Sequence, residues 1–79
     1  MRLDKWLKVS RLIKRRTVAQ EACDGGRVSV NGQPAKPSKE IKPGDVIEVS
    51  FGSGKIKAEV LSVQETVRKD DASAMYKEL

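Results

Sequence analysis

The chain has 79 residues, one Cys, no His and a formal net charge of +5, which bounds it to a single domain with a small core and little net stability to spare. A lone Cys23 excludes a disulfide framework and fits a reducing compartment, and without His the ordinary Cys/His metal site and the usual general base of nucleophilic catalysis are also excluded. The charge is unevenly placed: residues 1–16 hold seven cations against one anion, while the remaining 63 residues hold nine cations and ten anions, an asymmetry that points to a polyanionic partner.

In chain order, Leu3, Trp6 and Leu7 fall at i, i+3, i+4 and predict a short amphipathic helix over 3–9, with Arg2, Lys5 and Lys8 stepping along an adjoining face. Asp4 is placed to pair with Lys8 four residues on. Residues 10–16 read as a connection anchored by Leu12 and Ile13. Thr17 stands three residues before Gln20, the capping-box spacing, and predicts the start of a second helix over 17–24 with Val18, Ala19, Ala22 and Cys23 on its apolar face. Gly25-Gly26 supplies its positive-φ stop.

"RVSVNGQPA" alternates into an Asn31-Gly32 turn, so a strand is expected over 27–31. Pro43-Gly44-Asp45 then turns into a strand over 46–51, and Gly52-Ser53-Gly54 turns again into a strand over 55–63. Asp70 and Asp71 suit the start of a short helix in the tail. The predicted core is Leu3, Trp6, Leu7, Ile13, Val18, Ala22, Val28, Val30, Ile47, Val49 and Phe51. Three aromatics, Trp6, Phe51 and Tyr76, are too few to predict a base-stacking platform.

The order "RLDKWL", "GRVSVNG", "KPS" and "KPGD" within residues 2–49 closely resembles the S4, or αL-motif, RNA-binding domain. The resemblance implies an α+β, single-domain αL fold: two short N-terminal helices on a small antiparallel sheet over residues 1–63, then a tail over 64–79 with a short helix. It also implies a concave basic surface made of Arg2, Lys5, Lys8, Arg11, Lys14, Arg15, Arg16, Thr17 and Gln20, with Arg27, Asn31 and Lys36 at the hairpin edge. Backbone N–H groups opening the second helix, beside Arg forks, would reinforce a phosphate site there. Nothing acidic lies near Arg15 or Arg16 in sequence, which favours an external anion as their partner.

The short stand-alone members of this family imply a non-enzymatic, cytoplasmic monomer with no cofactor, no metal and no small-molecule substrate. They imply as partners the rRNA of the large ribosomal subunit, peptidyl-tRNA and a quality-control factor that elongates the nascent chain. No apolar run is long enough for a membrane span or a signal peptide, so no membrane partner is expected. Two other readings are a general rRNA-binding assembly or heat-shock factor, and a basic module docking on an acidic protein. The catalytic domains to which S4 domains are appended elsewhere have no counterpart in these residues.

Overall fold

The computed structural model describes residues 1–64 and 69–79; Glu65 to Arg68, part of the expected tail, lie outside the described residues. Helices α1 (Leu3–Val9) and α2 (Arg16–Asp24) precede strands β1 (Val28–Val30), β2 (Gln33–Pro34), β3 (Val46–Phe51) and β4 (Gly54–Val60). A 3-10 helix (Lys69–Met75) leads into β5 (Tyr76–Glu78). The strands form one sheet in the order β2-β1-β3-β4-β5, antiparallel at every pair.

Register explains the core. Val28 faces Val49, Val30 faces Ile47, and Ile47 faces Ala58, so one sheet face presents a continuous apolar surface to the helices. Leu3, Trp6 and Leu7 from α1 and Ala19, Ala22 and Cys23 from α2 complete the core. The Trp6 indole N–H donates to the Ser62 carbonyl at 3.0 Å, so the largest buried side chain leaves no orphan donor.

The tight turns follow their sequence signals. Asn31 and Gly32 both take positive φ, 52° and 86°, as a two-residue hairpin turn of matching twist requires. The Asn31 side chain does more than turn. Its Nδ2 donates to Asp45 Oδ1 at 3.2 Å and its Oδ1 accepts from the Val46 N–H at 2.9 Å, locking the hairpin to the start of β3.

Several expectations are corrected. α2 starts at Arg16, with Arg15 as an extended N-cap and no side-chain cap bond, so Thr17 is an exposed helical residue rather than a cap. Gln20, which the capping box would have used, is drawn away to a buried carboxylate described below. Gly25 carries φ −81° and Gly26 alone supplies the positive φ. The strand expected over 55–63 ends at Val60, and that over 27–31 is confined to Val28–Val30.

Val18 and Phe51 are exposed, at 44% and 43%. Val18 sits one position off the Ala19, Ala22, Cys23 stripe. Phe51 alternates onto the inner sheet face with Ile47 and Val49, but at the very end of β3, where the helical layer no longer covers it. In the tail, Ala72 and Met75 are buried, and β5 pairs with β4 through Ala58↔Glu78, Glu59↔Lys77 and Val60↔Tyr76. Among the described residues no helix is long and apolar enough to cross a membrane.

Candidate nucleic-acid interface

The basic face is organised around a buried acid. Asp4 has no exposed surface, and five donors converge on its carboxylate. Oδ1 accepts from Arg2 Nε at 3.2 Å and from the Lys5 backbone N–H at 2.8 Å. Oδ2 accepts from Arg2 Nη2 at 3.3 Å, Arg16 Nε at 3.3 Å and Gln20 Nε2 at 2.9 Å. Asp4 therefore does not serve Lys8, as its spacing predicted, and Arg16 has a partner in the fold twelve residues back in the chain.

A buried carboxylate is costly unless paired and hydrogen-bonded, and here both conditions hold. Burial pushes the Asp4 carboxyl up, but hydrogen bonds from Gln20, Arg16 and the Lys5 N–H outweigh it, and the net position is below the ordinary value. The acid thus stays ionised and orients two guanidinium groups whose side chains remain about half exposed, Arg2 at 49% and Arg16 at 41%. Each Arg spends its Nε edge inward. The remaining N–H groups of Arg16 keep capacity for an outside acceptor, the bidentate chemistry at which guanidinium excels.

The start of α1 is held by the loop that carries Lys36. The Leu3 N–H donates to the Lys39 carbonyl at 2.8 Å and the Asp4 N–H to the Pro37 carbonyl at 3.1 Å, which satisfies orphan helix donors. That is the physical role of the "KPS" segment, and it brings Lys36 beside the N-terminus of α1. Lys36 and Asn31 then line one concave surface of about 560 Å³ together with Lys39. Sequence reasoning missed Lys39; its signal was the cation three residues after Lys36.

Lys8, Arg11, Lys14 and Arg15 are exposed and make no ion pair with any described residue. Arg11, just past the Ser10 C-cap of α1, has φ 64°, a left-handed conformation that glycine adopts more cheaply. Arg27 stands apart from Asn31: the two flank β1 at opposite ends, about 13 Å apart at strand rise. The Arg27 carbonyl accepts from the Ser50 N–H at 2.8 Å, and its side chain borders the same groove as Lys14. Seven of the twelve expected residues thus fall into three groups. Arg2, Arg16 and Gln20 meet at Asp4, Lys14 meets Arg27, and Asn31 meets Lys36.

Cys23 packs beneath this face. Burial, and then the nearby charges of Asp4 and Asp24, push its thiol up to about 11, so it is a neutral core side chain rather than a nucleophile.

The sequence model of the S4 domain matches residues 1–47. The chain is 54% identical over 76 residues to the RQC P-site tRNA stabilizing factor of Halalkalibacterium halodurans, covering 96% of this chain and 86% of that protein. It is 53% identical over 76 residues to the Bacillus subtilis protein of the same name, covering 96% and 88%. Among solved structures, the trimeric structure of Vibrio cholerae Heat Shock Protein 15 superposes with a TM-score of 0.93 at 35% identity, covering all of this chain and 81% of that one.

Proposed function

The chain belongs to the S4 domain family, and from that premise we propose that it binds structured RNA on the large ribosomal subunit, where it stabilises a P-site tRNA during quality control of stalled nascent chains. The observation that carries the reading is the pair of guanidinium groups held half-exposed by a buried, ionised Asp4, beside four further exposed cations. Such an array suits a folded RNA, with Arg2 and Arg16 as oriented forks for phosphates and Lys8, Arg11, Lys14 and Arg15 as a surrounding positive field. Lys5, Thr17, Gln20, Arg27, Asn31 and Lys36 complete the proposed surface. The name shared by the two bacterial relatives supports the P-site tRNA as a contact, with large-subunit rRNA and a chain-elongating factor as the other proposed partners. The protein acts by binding, as a wedge of charge and shape; no residue in it is assigned a catalytic role.

Binding to purified large subunits across a salt series tests this. With roughly four to six phosphate contacts, log affinity should fall with log salt at a slope of about −3 to −5. Asp4→Asn sharpens the test. If only net charge matters, removing an acid should tighten binding; if Asp4 orients Arg2 and Arg16, binding should weaken about tenfold or more despite the added positive charge. A flat salt dependence of the native protein would overturn the reading.

A further inference from the structure

Resting on the RNA-binding reading, we infer that the groove between α2 and the β3–β4 turn is a seat for one unstacked base of the bound RNA. Its floor is Ile13 and Val49, its walls are Val18 and Phe51, and Lys14 and Arg27 stand at its rim. Three observations point to a base.

The first is the exposed aromatic ring. Trp6 is fully buried and Tyr76 packs edge-to-face against it at 6.4 Å, whereas Phe51 is 43% exposed at the end of a strand whose other inward residues are covered. An aromatic side chain left partly open to solvent is unfavourably hydrated, and an aromatic ring is a surface on which a base of any identity stacks. The second is charge. The charged residues lining the groove are both cations, neither makes an ion pair with a described residue, and a nucleotide brings a stacking ring face and an anion together. The third is size. The groove holds about 360 Å³, at the small end of ligand pockets. That is room for a single nucleobase. Lys14 also belongs to the run of exposed cations from Lys8 to Arg15, so a strand following those cations reaches the groove without a break.

The seat would be indifferent to sequence, because no side chain on its floor can read a base edge. Its contribution is to hold one splayed-out nucleotide and thereby select RNA with an unpaired base at the right distance from the phosphates under Arg2 and Arg16.

The test uses the full chain and purified large subunits. Phe51→Leu keeps an apolar wall and removes the ring; it should weaken binding about five- to a hundredfold, leave the melting temperature close to the native value, and leave the salt slope unchanged. Phe51→Trp should restore binding. A benzophenone side chain placed at position 51 and irradiated in the complex should give an adduct that ribonuclease destroys. An adduct that survives ribonuclease would make the groove a protein-docking site and overturn the proposal. So would native affinity in Phe51→Leu while salt dependence stays steep, an outcome that leaves the RNA reading intact. A native protein whose binding ignores salt would remove that reading and this one together.

Discussion

At the scale of single residues, neighbours in sequence have opposite duties. Arg15 and Arg16 look equivalent on paper, two cations at a helix start where positive charge is unfavourable by about 0.3–1 kcal/mol. In the fold, Arg16 Nε is bonded to a buried carboxylate at 3.3 Å, while Arg15 makes no ion pair with a described residue. Arg15→Ala should therefore keep or slightly raise thermal stability. Arg16→Ala should lower it by about 1–3 kcal/mol through loss of a charge-assisted bond to the buried Asp4. Both should lose large-subunit affinity, which sedimentation and thermal melts of the two variants can separate. Arg11 offers the reverse trade. At φ 64° a non-glycine residue is strained by roughly 1–2 kcal/mol, so Arg11→Gly should melt at or above the native temperature while binding subunits more weakly. A parallel loss of stability would mean that its side chain serves the fold. The partnership between Asp4 and Arg16 was not legible in the sequence, because the bond spans twelve positions and forms only once α1 and α2 are packed.

The elements themselves were largely legible, and the errors sit at their ends. Periodicity placed α1, the Asn31-Gly32 turn placed the β1–β2 hairpin, and the Pro43-Gly44 turn placed β3. The start of α2 was misplaced because Thr17 and Gln20 have cap spacing, yet the amide of Gln20 is worth more on a buried carboxylate than on a solvated helix end. β5 was missed because Tyr76-Lys77-Glu78 has almost no strand signal. It is recruited by the open edge of β4, where the Leu79 N–H reaches the Lys57 carbonyl at 2.8 Å. The two glycines closing α2 also divide their work. Gly26, at φ 75°, has no heavy atom within 4 Å of an added Cβ, so Gly26→Ala should cost about 1 kcal/mol from backbone strain alone. At Gly25 the φ is ordinary, and an added Cβ would sit 3.2 Å from the Glu21 carbonyl oxygen; Gly25→Ala should cost less. Denaturant midpoints of the two variants check the order.

For the molecule as a whole, the charge asymmetry visible in the sequence carried the polyanion reading, and the fold adds an acid limb to it. Asp4 and Asp45 are both buried. Burial raises each carboxyl, but bonds from Gln20, Arg16 and Lys5 in one case, and from the Lys42 N–H and Asn31 in the other, bring both below the ordinary value of 3.8. With folded values under unfolded ones, the unfolded chain binds more protons in that window, so these groups stabilise the fold above about pH 4 and cease to as pH falls through their folded values. Acid titration followed by circular dichroism should show native structure held to about pH 4 and lost below it, and Asp45→Asn should flatten that limb. The buried indole of Trp6 has a spectroscopic consequence. As the sole tryptophan, sealed from water and set against Tyr76, it should emit at short wavelength and resist quenching by iodide. RNA bound on the basic face would leave its emission nearly unmoved, whereas unfolding would shift it to the red. The molecule thus carries an internal gauge of its own integrity that is blind to its ligand, so any titration in which the indole signal moves is reporting loss of the fold.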